Sequence, residues 1–144
     1  MKAVIQVVKN SSIVINGKQG GRTQKGLVVL VAYREEDNDA TVEFFVNKLV
    51  NLRIFPDADG KLNLSVKDVG GSVMLVSNFT VYGDASKGRR PSYSLSAKPE
   101  ISKPLYIKTL EALKKEIPVV EGEFGADMQV ELINDGPITV ILEA

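Results

Sequence analysis

The most restrictive feature of the sequence is the segment Gly26–Ala32, seven residues that include no polar side chain. Its length and its β-branched residues are typical of a strand that is buried on both faces. Such a strand must be covered on each side by other elements of the chain. A second apolar segment, Val73–Val76, predicts another buried strand.

Polar segments interrupt two other pairs of apolar runs. Val4–Val8 and Ile13–Ile15 are separated by a short polar stretch, which predicts two strands joined in an opening hairpin. Near the C-terminus, Met128–Ile133 and Ile138–Leu142 predict two more strands. The segment Asn134–Pro137 between them has, taken alone, the composition of a hairpin turn.

Two segments have helical periodicity. Asn38 and Asp39 can cap the first helix, and Ser102 can cap the second, with Pro104 in its first turn. Pro118 is expected to end the second helix. The predicted fold is a single α/β domain over residues 1–144, with curved, mostly antiparallel β-sheets in a barrel-like arrangement and two packed helices.

The sequence contains no His and no Cys. Thiolate zinc sites, Cys nucleophiles and every Ser-His-Asp arrangement are therefore excluded. If the chain is an enzyme, it must use carboxylates, Lys, Tyr, hydroxyls, backbone dipoles or groups on its substrate.

The overall charge gives no indication of a nucleic-acid or membrane partner, because 18 basic residues balance 18 acidic ones. The apolar run near the N-terminus stops at Lys9, which is too short for a signal peptide or a membrane span. We therefore expect a cytoplasmic protein in which any contact with nucleic acid depends on a local basic patch.

A patch of this kind lies in the segment Ser86–Ser92, called here the basic loop, which contains Lys87, Arg89 and Arg90. Clustered cationic groups beside hydroxyls and a glycine are suited to bind phosphate groups. Charge alone is equally compatible with a solvated basic turn. Both interpretations stay open for this loop.

The segment Ser77–Thr80 follows the predicted strand Val73–Val76. Hydroxyls at a strand end are often turn-forming residues. As nucleophiles, Ser77 and Thr80 have no His to activate them, and only a Lys such as Lys87 can replace it. Backbone N–H groups released at the end of the strand are better suited to hold a carbonyl oxygen or an oxyanion.

Six segments form a pattern along the chain: Asn51–Phe55, Asn63–Ser65, Ser77–Thr80, Gly88–Ser94, Phe124–Met128 and Asn134–Thr139. They are spread in order over nearly the whole sequence. Each segment alone is a weak signal, but the ordered set is highly specific. With these segments and its length, the sequence resembles the D-aminoacyl-tRNA deacylase family.

The resemblance implies an α/β fold related to archaeal threonyl-tRNA synthetase editing domains, in a homodimer with active sites at the interface. It implies hydrolysis of the ester between a D-amino acid and the terminal adenosine of tRNA, with no metal and no cofactor. In this family a cis Gly-Pro bond lies in a loop that enters the partner subunit's active site. Gly136 and Pro137 match that motif.

The resemblance also assigns roles to single residues, and the basic loop is expected to bind tRNA. Phe124 and Met128 fall where the family receives the terminal adenine. The expected catalytic residues are Ser77, Phe79, Thr80, Gly136 and Pro137; the expected substrate-binding residues are Asn78, Phe124, Met128 and Asn134; the expected tRNA-binding residues are Lys87, Arg89 and Arg90.

Two positions depart from the family pattern. Family members commonly have Gln-Arg-Val near the N-terminus, where this chain has Gln6-Val7-Val8, and that Arg is thought to brace the Gly-Pro loop. The Gln that commonly follows the motif serine is replaced by Asn78, which is one methylene shorter. Neither substitution removes a group that we assign to the chemistry.

Two alternatives to a deacylase stay open at this stage. One is a non-catalytic module that holds an RNA end, and the other is a free-standing editing domain of the threonyl-tRNA synthetase type. The deacylase is favoured because an aminoacyl ester is already activated, so its hydrolysis needs mainly a placed water and a stabilised oxyanion. A filter that rejects L side chains by collision cannot reject glycine, so glycyl-tRNA is a second expected substrate.

Overall fold

The computed structural model describes residues 1–144 and consists of two α-helices, eight strands and one short 3-10 turn. In chain order the elements are β1 (Lys2–Ile15), β2 (Lys18–Thr23), β3 (Gly26–Ala32), α1 (Asp39–Asn51), β4 (Phe55–Pro56), β5 (Leu62–Leu64), β6 (Ser72–Ser77), the 3-10 turn (Phe79–Tyr82), α2 (Pro99–Lys114), β7 (Val119–Glu121) and β8 (Met128–Glu143).

Six strands form one curved sheet in the order β2-β1-β3-β6-β7, with β8 also paired to β1. Strands β3, β6 and β7 run parallel to one another, and the remaining pairs of this sheet are antiparallel. The two ends of the order approach each other, since a Cβ on Gly21 of β2 would lie 2.6 Å from Val120 of β7. The predicted barrel-like α/β fold with two helices is confirmed.

The sheet has a hydrophobic core on each side. The main core lies between the sheet and the two helices, and Phe45, Leu49 and Tyr106 are among its buried side chains. A smaller core inside the curved sheet contains Val28 and Met74. The predicted strand Gly26–Ala32 is buried because β3 lies between these two cores.

The start of α1 agrees with the sequence prediction, and the start of α2 differs from it. Asn38 caps α1 and accepts hydrogen bonds from two backbone N–H groups of its first turn. Helix α2 begins at Pro99 rather than after Ser102, since the fixed φ of a proline suits the first helical position. The Ser102 hydroxyl instead donates to the Lys98 carbonyl at 3.0 Å inside the helix. Neither helix has the length and apolar character that a membrane span requires.

The predicted opening hairpin is wrong, because β1 is one continuous strand from Lys2 to Ile15. The polar residue Ser11 is buried within it, and its hydroxyl lies 2.5 Å from the Thr23 hydroxyl of β2. A polar side chain that is satisfied in this way does not interrupt a strand. The hairpin turn is instead formed by Asn16 and Gly17, both of which have positive φ.

The second predicted strand pair is also one continuous strand, β8, which pairs with β1 on both sides of Asn134–Pro137. Gln6 pairs with Thr139 and Val8 with Asn134, so residues 135–138 stand opposite Val7 alone. This extra segment, called here the bulge, leaves the ladder without ending the strand. The peptide bond between Gly136 and Pro137 within it is cis.

Candidate active site

A cleft of about 840 Å³ lies at the carboxyl ends of the parallel strands β3 and β6. Val31 and Ser77 pair at these ends, and the N–H of Asn78 donates to the Val31 carbonyl at 2.8 Å. The wall of the cleft therefore continues one residue beyond β6. Ligands of parallel α/β sheets commonly bind at this edge.

The opposite wall is formed by Phe124 and Met128, on the connection between β7 and β8 and at the start of β8. The Tyr106 hydroxyl of α2 lies 3.0 Å from the Leu75 carbonyl and 2.8 Å from the Gly122 carbonyl, and can donate to both. The Tyr106 ring also packs at 6.0 Å from the Phe124 ring. Tyr106 thus fixes this wall to the end of β6.

Tyr33 lies at the base of the cleft and is 2% exposed. Its hydroxyl donates to the Thr109 hydroxyl at 2.9 Å, which in turn donates to the Leu105 carbonyl at 2.8 Å. Burial raises the pKa of Tyr33 well above its ordinary value, and the same cause raises the pKa of Tyr106. Both phenols therefore stay neutral hydrogen-bond donors.

The segment after β6 is arranged by the Asn78 side chain, which caps the 3-10 turn. Its Oδ1 accepts from the Thr80 N–H at 3.2 Å and from the Thr80 hydroxyl at 2.5 Å. The Thr80 hydroxyl is therefore engaged outside the cleft lining. Phe79 is the first residue of the turn, so its N–H has no acceptor within the turn and is free for a ligand.

The cleft is almost free of charge. Among the side chains that line it, only that of Asp127 is charged at neutral pH. No cluster of His, Cys, Asp or Glu residues with the arrangement of a metal site is found in the molecule. Apart from Asp127, the cleft of one chain therefore offers a reaction only backbone groups and neutral side chains.

The structure divides the expected site residues into three groups. Five of them line the cleft, and four others lie on or beside the bulge or on the 3-10 turn. The lining residues are Ser77, Asn78, Phe79, Phe124 and Met128; the residues outside the lining are Thr80, Asn134, Gly136 and Pro137; Lys87, Arg89 and Arg90 lie on the exposed loop that follows the turn.

Sequence reasoning missed Tyr33, Tyr93, Ser96 and Asp127, all of which line the cleft. One signal for Tyr33 was available, since it directly follows the apolar strand β3 as the motif serine follows the apolar part of β6. Residues after neighbouring parallel strands meet at one edge of a sheet. Tyr93 and Asp127 lie in the family segments Gly88–Ser94 and Phe124–Met128, whereas Ser96 lies outside these segments and had no comparable signal.

The bulge lies outside the cleft of its own chain, on a strand with one free edge. Strand β8 pairs only with β1, so its other edge has no ladder partner. Two large apolar side chains of β8 are exposed on either side of the bulge, Ile133 by 53% and Ile141 by 60%. An exposed strand edge of this length is suited to contact with another chain.

Val7, which stands where family members commonly have Arg, is 1% exposed and belongs to the main core. It stands opposite the bulge in the ladder but offers no polar group to it. Here Val7 contributes to the packing beneath the bulge.

Two curated relatives are similar to this chain over its whole length. A protein of Thermosipho africanus named D-aminoacyl-tRNA deacylase is 49% identical, with 100% of this chain and 97% of that protein covered. One of Thermosipho melanesiensis with the same name is also 49% identical, with the same coverage.

Two solved structures are similar over nearly their full length. The c-Myc DNA Unwinding Element Binding Protein superposes with a TM-score of 0.93 at 37% identity, covering 100% of this chain and 99% of its own. A probable eukaryotic D-amino acid tRNA deacylase has a TM-score of 0.84 at 15% identity, covering 98% and 97%. The second likeness supports the fold alone.

With these relatives, the fold and its almost uncharged cleft define a hydrolase that acts on aminoacyl-tRNA. A model of one family, D-Tyr-tRNA(Tyr) deacylase, matches residues 4–143. The chain belongs to that family, and tRNA is therefore its substrate.

Proposed function

We propose that the protein hydrolyses the ester of D-aminoacyl-tRNA and of glycyl-tRNA, and leaves L-aminoacyl esters intact. The observation that supports this most is the composition of the cleft. Its lining contains no His, Cys or Lys, and the free N–H of Phe79 begins the 3-10 turn at its wall. An activated ester needs little more than an oxyanion donor and a placed water.

In this mechanism the N–H of Phe79 donates to the ester carbonyl oxygen as negative charge develops on it. Ser77 lines the cleft beside this group and is one residue before the capping Asn78. The ribose 2′-OH of the substrate is next to the ester and orients the attacking water. Thr80 is not the nucleophile, since its hydroxyl donates to Asn78 Oδ1 at 2.5 Å.

The proposed mechanism uses a homodimer in which the bulge of one protomer enters the cleft of its partner. A row of apolar residues across the sheet supports this arrangement. Ile141 pairs with Val4, Val4 with Leu30, and Leu30 with Val76, on one face. The row runs from the exposed Ile141 beside the bulge to two residues of the cleft lining. A second copy packed on this row covers an exposed apolar surface and completes the site.

The discrimination between D- and L-amino acids then follows from backbone geometry. The carbonyl groups of Gly136 and Pro137 hold the α-ammonium group, while the N–H of Phe79 holds the ester. With both ends fixed, a D side chain points to open space and an L side chain collides with the backbone. Rejection by such a wall exceeds the discrimination of about 1–3 kcal/mol that one methylene gives in an apolar pocket. Glycine has no side chain and is accepted.

The terminal adenine is proposed to lie between Phe124 and Met128. The Met128 side chain has room because Gly122 is adjacent, where a Cβ would lie 2.8 Å from the Met128 sulfur. Asn78 offers its amide N–H₂ to the substrate, since Oδ1 is already used by Thr80. Asn134 adjoins the bulge and is proposed to contact substrate from the partner side.

The decisive experiment uses matched D- and L-tyrosyl-tRNA with the purified protein. We expect release of D-tyrosine and no release of L-tyrosine, with glycyl-tRNA as a further substrate. Equal rates for the two enantiomers contradict the proposal. Binding without hydrolysis identifies an RNA-binding module, and cleavage of L-seryl-tRNA identifies an editing domain of the threonyl-tRNA synthetase type.

We further propose that residues 1–144 act as one domain and that the protein works in the cytoplasm, where its substrate is made. Sedimentation equilibrium tests the dimer. A monomer that retains full activity contradicts the shared active site.

A further inference from the structure

Resting on the proposed function, we propose that Phe79 and Tyr93, called here the rim aromatic pair, form a stacking platform for the cytidine that precedes the terminal adenosine. The two rings meet edge to face with centroids 5.2 Å apart. Both residues line the cleft, yet Phe79 is 59% exposed and Tyr93 is 39% exposed. The cleft therefore has aromatic surface at its mouth that the chain itself does not cover.

The rim aromatic pair is held firmly from the backbone side. The Ser96 hydroxyl donates to the Phe79 carbonyl at 2.7 Å, and the Ser96 N–H donates to the Tyr93 carbonyl at 3.0 Å. Gly83 allows the Tyr93 ring to approach, since a Cβ there would lie 2.8 Å from Tyr93 Cε1. The platform is thus preorganised and loses little conformational freedom when it binds a base.

The basic loop is attached directly to this platform. Asp84 and Ser92 exchange two backbone hydrogen bonds of 2.8 and 2.9 Å, which close the loop next to Tyr93. Asp84 also accepts from the Ser86 N–H at 2.9 Å, and hydrogen bonds to Ser86 lower the pKa of Asp84. The two ends of the loop are therefore fixed, and Lys87, Arg89 and Arg90 extend from the part between them.

The charges of the loop indicate which ligand the platform takes. Lys87, Arg89 and Arg90 are exposed and take part in none of the six ion pairs of the molecule. Some lysines elsewhere, such as Lys67 and Lys108, are paired with carboxylates, but none of the three cations of the basic loop is. Unpaired cations beside exposed rings are the combination that binds single-stranded nucleic acid. A nucleotide entering the cleft by its terminal adenosine brings the preceding base to the rings and its phosphates to the loop.

The experiment measures the affinity of three ribonucleotides that carry no amino acid: adenosine monophosphate, the dinucleotide CpA, and an abasic analogue of CpA that lacks only the cytosine base. In the wild type, CpA is expected to bind about tenfold more tightly than the abasic analogue, in the range of base–aromatic stacking. In Tyr93→Leu this advantage is expected to disappear, while Tyr93→Phe restores it. Phe44→Leu is the matched control, because Phe44 is a comparably exposed aromatic on α1, outside the cleft lining.

Equal affinity of the wild type for CpA and its abasic analogue overturns the proposal. So does an equal loss of adenosine monophosphate binding in Tyr93→Leu, which makes Tyr93 part of the adenine site. Thermal unfolding of each variant identifies a folding defect, and Tyr93→Phe keeps the test valid if the leucine variant unfolds. Failure of D-tyrosyl-tRNA hydrolysis in the wild type concerns the proposed function instead and is measured separately.

Discussion

The cleft and the bulge are built in opposite ways, although both are proposed to contact the same ester. The groups of the cleft are fixed from within the chain by buried hydrogen bonds, such as those of Tyr33 to Thr109 and Tyr106 to Gly122. The bulge lies on a strand with a free edge, and none of its residues lines the cleft of its own chain. One region is held together within a single chain, and the other is proposed to act only in a dimer.

This difference separates two requirements of a chiral hydrolase. Stabilising an oxyanion requires a donor in a fixed place, which a packed core supplies. Distinguishing enantiomers requires a second fixed point on the substrate, and we propose that the bulge supplies it. The following experiments change the substrate, the bulge and the cleft in turn.

The largest effect is expected when neither region is changed and the substrate loses its 2′-OH. D-Tyrosyl-tRNA that carries the amino acid on the 3′-OH of a terminal 2′-deoxyadenosine should be hydrolysed about a thousandfold more slowly, within the usual range for a group that assists proton transfer. Single-turnover rates measure this. An unchanged rate shows that the protein itself activates the water.

Substitution in the bulge should have the next largest effect. Gly136 has a φ of +127°, and a Cβ there would lie 2.7 Å from Ile138 Cγ1. Gly136→Ala should therefore displace the bulge and lower kcat for D-tyrosyl-tRNA by about 100-fold. Gly60→Ala is the control, since Gly60 also has positive φ but faces open space. If the control loses as much activity, general strain explains the result.

Substitutions in the basic loop should lower the affinity for tRNA and leave kcat unchanged. Arg89→Ala combined with Arg90→Ala removes two phosphate contacts, which should lower tRNA affinity about tenfold at low salt and reduce the salt slope by about 1.4 to 1.8. Lys48→Ala with Lys61→Ala changes the net charge equally at cations that form no ion pair. If tRNA affinity has the same salt slope in the two double variants, the basic loop is a solvated turn that does not contact phosphates.

Loosening the cleft wall should give a smaller change. Tyr106→Phe removes the hydroxyl that bonds to the Leu75 and Gly122 carbonyls, although Leu75 keeps the Gly122 N–H at 2.8 Å. We expect a loss of about 1–2 kcal/mol in the free energy of unfolding and a KM raised about threefold. Tyr33→Phe should lower the free energy of unfolding by a similar amount, without affecting the wall formed by Phe124 and Met128. Urea unfolding and steady-state kinetics compare the two variants, and an equal rise of KM in both contradicts a specific role for Tyr106.

The smallest effect is expected for Thr80→Ala. The Thr80 hydroxyl is used by Asn78, whose Oδ1 keeps the Thr80 N–H as a second donor. Activity on D-tyrosyl-tRNA should therefore stay within about threefold of the wild type, because removing an exposed hydroxyl that only supports a turn costs little. Loss of all activity in a folded variant identifies Thr80 as a nucleophile.

Local sequence signals predicted the parts of the fold that depend on neighbouring residues. The bounds of Gly26–Ala32 and the Asn38 cap agree with the structure, because apolar composition and capping act within a few residues. The position of Ser77 and Asn78 at a strand end was predictable for the same reason. Their place in a cleft then follows from the parallel order of β3 and β6.

The continuity of β1 and β8 depends on partners far away in sequence, and the sequence prediction divided both strands. Ser11 is accepted in a buried strand because Thr23 lies opposite it, which no window around Ser11 reveals. The Asn134–Pro137 segment has the composition of a turn, yet β1 pairs with residues on both sides of it. Long-range pairing overrode local turn preference in both cases.

The bulge lies in the continuous strand β8, which pairs with the continuous strand β1. Its position therefore depends on the packing of both hydrophobic cores. Opposite the bulge, Val7 packs into the core beneath the helices, and the next residue, Val8, packs into the core within the sheet. In the proposed dimer, a substitution that enlarges or empties either core would tilt the paired strands and move the carbonyls assigned to the substrate. The proposal therefore makes enantiomer discrimination sensitive to interior residues that do not contact RNA, so that fidelity can be lost before folding is.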